Sequence, residues 1–190
     1  MIGAEGSKEG IFEYSLSSSW DIGTTAFTEN SKSYADLPTS ADAFTDIHFK
    51  YDGTKMYTLN KDTDLITEYP LTTAWDITTA TDTTTQSFYV NKTDANPQGF
   101  YFRKDGLKVY MNGHQYDKTW ELNMSTAWDI TSITDTSQSF ATSESLDAHE
   151  DLLAGITFYP DGDRMYTTGN RQNMVYEHRL GTAWDITTAT

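Results

Sequence analysis

The chain has 190 residues, enough for one domain with a hydrophobic core, and it carries a formal charge of −15. Nucleic acid and anionic membrane surfaces are not expected as partners, because both require clustered Lys and Arg. There is no Cys, which excludes disulfides and thiolate zinc sites. Neither a membrane-spanning apolar run nor a signal peptide is recognisable, so we expect a soluble protein whose localisation the sequence leaves unknown.

Three sequence markers recur at nearly constant spacing. A Trp-Asp-Ile motif places its tryptophans at Trp20, Trp75, Trp128 and Trp184. An Asp-Gly turn keeps the same period and supplies Gly53, Gly106 and Gly162. Gln-Ser-Phe at 86–88 and 138–140 is the third marker. This periodicity predicts one repeat domain over 1–190, divided into a partial unit 1–43, units 44–96 and 97–152, and a partial unit 153–190.

The first unit is expected to begin within a second strand, followed by a third strand before Trp20 and a fourth near Tyr34. The second unit predicts four strands at 46–50, 55–59, 66–71 and 85–90, because apolar residues alternate at period two. The third unit repeats them at 99–103, 108–112, 119–124 and 137–142. The fourth predicts 155–159, 164–168 and 175–180, with the sequence ending before its last strand.

The turn residues that recur in the last three units have local structural roles. Gly after Asp accepts the positive φ of a hairpin turn between the first two strands. The aspartates of the Trp-Asp-Ile motif can bond the backbone two residues further on, and these are Asp76, Asp129 and Asp185. The tryptophan itself is interpreted as a large residue that packs between sheets.

A basic and an acidic residue stand 13 positions apart in each complete hairpin, which suggests cross-strand charge pairs. The pairs are Lys55 with Glu68, Lys108 with Glu121, and Arg164 with Glu177. If each pair is directly opposed, the turns centre at 61–62, 114–115 and 170–171. Each pair would contribute about 0.2–1 kcal/mol. Their repetition in every unit indicates scaffold rather than acid–base chemistry.

Three segments carry a family resemblance. The stretches 99–113 and 155–169 resemble the strand–Asp-Gly–strand opening of YVTN- and NHL-type propeller blades, and 52–77 resembles blades of propeller-like repeat proteins from marine bacteria and bacteriophages. The resemblance implies an all-β propeller with its first strands at the channel and its fourth strands outermost. Such propellers carry about six to eight blades. The expected fold is therefore a propeller incomplete at both ends, most simply a half-ring.

An incomplete ring would expose aromatic sheet faces, which normally find partners. The favoured prediction is a homodimer in which two half-rings complete one ring. A monomeric four-bladed ring and a fragment of a longer gene product are the alternatives. The family resemblance also allows a virion or cell-surface setting.

Catalytic and cofactor motifs are missing from the sequence. It contains no Gly-rich phosphate loop, no nucleophile elbow and no zinc-binding helix motif, so no enzyme, cofactor or metal is expected. The acidic stretches 60–64 and 147–151 match no metal loop in spacing, and a structural calcium ion is a lesser option.

Loops that differ between units favour a binding platform for a protein or glycan partner. The connections between units and the hairpin tips near 61–62, 114–116 and 170–172 should emerge on one face. The candidate ligand-binding residues there are His114, Tyr116, Arg171 and His149. The alternative is a propeller-type lyase or hydrolase with its site at the channel mouth, for which Asp46 and His48 are the candidates.

Overall fold

The computed structural model describes residues 2–5, 8–33, 37, 43–81, 86–90, 93–134, 138–141, 152–170 and 174–190. Across these ranges the secondary structure consists of β-strands and single 3-10 turns, with no α-helix. The strands form four antiparallel sheets in chain order. The prediction of an all-β fold is confirmed.

Each of the four sheets is built from a consecutive part of the chain. The first contains β1 (Ile2–Glu5), β2 (Lys8–Leu16) and β3 (Thr25–Ser33). The second contains β4 (Phe44–Phe49), β5 (Lys55–Asn60), β6 (Leu65–Pro70) and β7 (Gln86–Tyr89). The third contains β8 (Pro97–Phe102), β9 (Lys108–Gly113), β10 (Lys118–Met124), β11 (Ile133–Thr134) and β12 (Ser139–Ala141). The fourth contains β13 (Leu153–Phe158), β14 (Arg164–Gly169) and β15 (Val175–Arg179).

The first strands of the last three sheets begin two residues earlier than predicted. Each pairing shifts register near its start, between Phe44 and Asp46 in β4 and between Pro97 and Gly99 in β8. A bulge inserts one extra residue and breaks the alternation of apolar and polar side chains. The alternation of apolar and polar residues therefore indicates only the part of the strand beyond the bulge.

The Trp-Asp-Ile motif builds a 3-10 turn after β2, β6, β10 and β15. These turns are Ile22–Thr24, Ile77–Thr79, Ile130–Ser132 and Ile186–Thr188. The aspartate caps the turn: Asp129 Oδ1 accepts the backbone N–H of Thr131 at 3.0 Å and the Thr131 hydroxyl at 2.6 Å. Asp76 and Asp185 make the same pair of bonds. The structure confirms this local prediction because the interaction spans only two residues.

All four motif tryptophans adopt left-handed backbone conformations, which the sequence did not indicate. Their φ values are 61–69°, a region that bulky residues rarely occupy. In the last three units the indole lies over the glycine of its own Asp-Gly hairpin, and the backbone N–H of Trp128 donates to the Gly106 carbonyl at 2.8 Å. The glycine is therefore required both for its positive φ of 72° and for the space above it.

Replacing Gly106 by alanine is expected to destabilise the protein by about 2 kcal/mol, since the new Cβ would combine left-handed strain with overpacking. That Cβ would lie 2.3 Å from Trp128 Cδ1. Gly181→Ala is the matched control, because its nearest heavy atom is 3.5 Å away. The free energy of unfolding of this control variant should stay within about 0.5 kcal/mol of wild type. Urea unfolding measures both, and equal losses would contradict the role assigned to Gly106.

The charged residues of the hairpins lie diagonally rather than directly opposite, so the predicted register is wrong by two residues. Lys55 faces Pro70, and Glu68 faces Tyr57. Lys55 Nζ nevertheless lies 2.6 Å from Glu68 Oε1, because the long lysine side chain spans the diagonal. Lys108 pairs with Glu121 in the same way. Arg164 and Glu177 are further apart, at 3.9 Å.

The sheets pack face to face, and the first strand of each of the last three sheets lies at the centre. β8 contacts β4 on one side and β13 on the other, which places these first strands innermost. Apolar clusters fill the spaces between successive sheets: Tyr69 and Ile77 lie at the first interface, and Leu122 and Ile130 at the second. The chain therefore has a β-propeller fold.

The first and fourth sheets each leave one face exposed to solvent. Trp20 is 96% exposed on the first sheet and Val175 is 67% exposed on the fourth. These exposed faces are consistent with a half-ring built from the four sheets.

Candidate functional site

The hairpin tips and the connections between sheets meet on one face of the propeller. Lys61 N–H donates to the Ala43 carbonyl at 3.1 Å, and His114 N–H donates to the Asn96 carbonyl at 3.0 Å. A further bond joins Asn170 N–H to the Leu152 carbonyl at 3.0 Å. Each tip is thus fastened to the segment that leads into an inner strand, and this face surrounds the starts of β4, β8 and β13.

Asp94 organises the part of this face around the third sheet. Its carboxylate is fully buried and accepts the backbone N–H groups of Asn96, Gln115 and Tyr116 at 2.9, 3.1 and 3.3 Å. A Cβ at Gly113 would lie 2.1 Å from Asp94 Cγ, so this glycine makes room for the carboxylate. Sequence reasoning missed Asp94, because its three partners lie up to 22 residues away.

The structure places two of the four predicted ligand-binding residues on this face. Tyr116 is 52% exposed, and its ring lies edge-on to Trp120 with centroids 6.2 Å apart. His114 is half-buried, and burial lowers the pKa of its imidazole despite the nearby Asp117 and Asp94. Arg171 and His149 lie outside the described residues. Binding of a protein or glycan here remains a prediction.

Asp46 is a carboxylate on an innermost strand. Its Oδ2 accepts the backbone N–H of Phe100 on the neighbouring β8 at 2.9 Å, and its Oδ1 accepts the N–H of Ile47 at 2.8 Å. Burial raises the pKa of Asp46, and the two backbone hydrogen bonds oppose this only in part. The equivalent positions in the next two units are Gly99 and Gly155, so this carboxylate is not part of the repeated scaffold.

His48 lies two residues further along β4 but occupies a different environment. Five aromatic rings surround it within 6.4 Å: Tyr51, Phe100, Tyr101, Phe102 and Trp128. Burial lowers the pKa of His48 to about 4, which makes it a weak base. Its position among these rings indicates a packing role between the second and third sheets.

Amide side chains accompany Asp46 at the start of the adjacent inner strand. Gln98 Nε2 donates to Asn96 Oδ1 at 2.6 Å, and both residues are half-buried. Thr45 Oγ1 lies 3.4 Å from the Pro97 carbonyl and links β4 to β8. This end of the inner strands therefore offers a carboxylate, a hydroxyl and two amides.

A separate apolar cleft lies between the first two sheets. Its volume is about 310 Å³, and Ile11, Tyr14, Phe49 and Trp75 contribute to its walls together with the carboxylate-bearing Glu13. Glu13 occupies the repeat position of the scaffold residues Glu68 and Glu121. The cleft is accordingly part of the packing between sheets rather than of the loop face.

No group of three or more His, Asp or Glu side chains able to hold a metal ion occurs in the ranges that the structure describes. In the acidic stretch 60–64, Asn60 Oδ1 accepts the N–H groups of Asp62 and Thr63 and so shapes a turn. The stretch 147–151 lies outside the described residues. Nor does any described helix have the length and apolar character needed to cross a membrane.

Known structures share the fold of this chain. A putative 6-phosphogluconolactonase from Bacteroides fragilis matches with a TM-score of 0.56 and 11% identity over 95% of this chain and 48% of its own. The periplasmic gluconolactonase of Pseudomonas aeruginosa matches with a TM-score of 0.55, 9% identity, and coverage of 95% and 49%. A luciferin-regenerating enzyme matches with a TM-score of 0.54, 14% identity, and coverage of 77% and 47%. The chain spans about half the length of these structures.

No family model and no curated protein matches the sequence. At 9–14% identity the structural matches establish the shared fold alone. They nevertheless contradict the prediction of a non-enzyme, because the matched proteins are named as enzymes. The missing motifs on which that prediction rested belong to other folds, and a propeller can build a site from isolated residues on several strands.

Proposed function

We propose that this chain acts as a hydrolase of cyclic esters of the sugar-lactone type, with its site where the inner strands begin and Asp46 as the acid–base residue. Proteins with this fold are named as lactonases, which supports the substrate class. The site assignment is carried by Asp46, a non-repeated carboxylate on an innermost strand.

The environment of Asp46 suits proton transfer. A general base works best when its pKa is close to the working pH, and burial shifts the pKa of this carboxyl in that direction. The side chain is only half-buried, so water can reach it. Its bonds to Phe100 and Ile47 fix the carboxylate in one orientation.

The reaction requires one activated water molecule. Asp46 would accept a proton from the water molecule while the water oxygen attacks the lactone carbonyl carbon. The bond between that carbon and the ring oxygen then breaks, and the proton passes from Asp46 to the departing oxygen to give an open hydroxy acid. Gln98 and Asn96 would bind the hydroxyl groups of a sugar-derived substrate.

The test is lactone hydrolysis by wild-type protein and by Asp46→Asn, followed as acid release above the spontaneous rate. We expect kcat/KM of the variant to fall by about 10²–10⁴-fold, the usual contribution of a general base. The acidic limb of the wild-type rate profile should lie above the ordinary pKa of an aspartate, because the folded-state pKa is raised.

Asp129→Asn is the matched control. Asp129 also accepts a backbone N–H through Oδ1, but it lies in a 3-10 turn away from the inner strands. Its activity should equal that of wild type. Failure of wild type to exceed the spontaneous rate with any sugar lactone would overturn the proposed reaction. Full activity of Asp46→Asn would overturn the assignment of the base.

A further inference from the structure

One hydrogen-bonded contact between sheets occurs twice within the chain. Lys55 Nζ and Tyr57 Oη of the second sheet both donate to the Trp128 carbonyl of the third, at 2.9 and 2.8 Å. Lys108 Nζ and Tyr110 Oη donate to the Trp184 carbonyl of the fourth, at 3.2 and 2.7 Å. In both cases a lysine and a tyrosine on one sheet donate to the backbone carbonyl of the left-handed motif tryptophan on the next sheet.

The fourth sheet carries the donor half of this contact on its exposed face. Arg164 and Tyr166 occupy the positions of Lys55 and Tyr57, and Tyr166 Oη donates to Glu177 Oε2 at 3.2 Å. Val175 takes the place of Ile66 and Thr119, both completely buried, yet it is 67% exposed. The donor face is defined here as Arg164, Tyr166, Val175 and Glu177.

The first sheet carries the acceptor half. Trp20 has the same left-handed backbone, with φ 66°, and the same aspartate-capped turn as the buried motifs, so its carbonyl is held in the conformation of an acceptor. Around it lie Tyr14, Leu16 and Ile22, all exposed. Their equivalents in the second sheet, Tyr69, Leu71 and Ile77, are buried. The acceptor face is defined here as Tyr14, Leu16, Trp20 and Ile22.

We propose that the donor face of one copy of this chain binds the acceptor face of a second copy. Arg164 and Tyr166 would donate to the carbonyl of Trp20 in the second copy, and its indole would pack against Val175. Because every copy carries both faces, two copies related by a two-fold axis form two such contacts and close a ring.

Hydrogen-bond complementarity favours this head-to-tail contact over pairing of like faces. Two donor faces would place Arg164 and Tyr166 opposite the same donors, with no Trp20 carbonyl to accept from them. Two acceptor faces would leave the Trp20 carbonyls without donors, at the cost of buried unsatisfied groups. The head-to-tail contact repeats an arrangement that the chain already makes twice.

The test is the molar mass in solution, measured by light scattering and sedimentation from low micromolar concentration upwards. We expect twice the chain mass of 21.4 kDa. Trp20→Ser and Val175→Asp should each yield monomers, with dissociation constants at least tenfold higher, equivalent to about 1.4 kcal/mol. Both substitutions are at exposed positions, so circular dichroism should show folded protein.

Mixing the two variants distinguishes head-to-tail binding from pairing of like faces. A mixture of Trp20→Ser and Val175→Asp chains keeps one intact donor face and one intact acceptor face, and it should form dimers again. Tyr116→Ser, an exposed aromatic outside both faces, is the control and should remain dimeric. A monomeric wild type at every concentration, or a dimer insensitive to Val175→Asp, would overturn the proposal.

Discussion

Replacing Trp128 by alanine is expected to lower the free energy of unfolding by about 3–5 kcal/mol, the usual loss for a large aromatic residue in a core. The indole is 8% exposed and lies between two sheets, with ring centroids 5.5 Å from Phe102 and 6.2 Å from Tyr57. Its removal opens a cavity that rigid strands on both sides cannot fill. Denaturant unfolding monitored by circular dichroism measures the loss.

Trp75→Ala separates packing between sheets from stabilisation of the local turn. Trp75 has the same motif, the same left-handed backbone and the same contact with a hairpin glycine, but it is 52% exposed. Its replacement should cost less than half as much as that of Trp128. The conformational cost of alanine at positive φ is common to both variants and cancels in the comparison. Equal losses would show that the indole stabilises only its own turn.

Protonation of His48 should destabilise the folded protein by about 3 kcal/mol as the pH drops from 6.5 to 4. Burial among aromatic rings lowers the pKa of His48 from 6.5 to about 4. Between these values the unfolded chain binds a proton that the folded chain does not, so acidification favours unfolding. Asp46 and Glu68 act in the opposite direction, because burial raises the pKa of both carboxyls.

Comparison of His48→Phe with wild type isolates the histidine contribution, since the carboxyl groups are common to both. The free energy of unfolding of the variant, relative to wild type, should rise by about 3 kcal/mol between pH 7 and pH 4. Phenylalanine suits the site because Phe100, Phe102 and Trp128 surround it. His114→Gln, at a half-buried tip, should show a smaller effect. If the free energies of unfolding of wild type and His48→Phe changed equally with pH, the contribution assigned to His48 would be contradicted.

The repeat period and the turn chemistry of each unit were readable from the sequence. The Asp-Gly hairpins and the aspartate-capped 3-10 turns depend on hydrogen bonds over two or three residues, and the last three units each contain the residues that make both. Strand positions followed from alternating apolar residues, except where bulges in β4 and β8 broke the alternation. The register of the hairpins was predicted two residues out, because a lysine can reach a diagonal carboxylate as well as an opposite one.

The candidate site was only partly readable. Asp46 was identifiable as an odd polar residue on a predicted inner strand, but its raised pKa results from packing against β8. Asp94 gave no signal, because a buried carboxylate with three backbone donors resembles an ordinary loop aspartate in sequence. The structural matches to proteins named as enzymes could not be identified from the sequence, because they share the fold with only 9–14% identity.

The sequence by itself determined the four β-units and the conformation of their turns, because those depend on neighbours within a few residues. The tertiary structure decided which of four nearly identical motifs are buried. Trp128 and Trp20 share their motif and backbone angle, yet one accepts hydrogen bonds from Lys55 and Tyr57 and the other is exposed. Burial, shifted pKa values and contacts between sheets all depend on residues some 50 or more positions away, and only the packing of one sheet against the next brings these together.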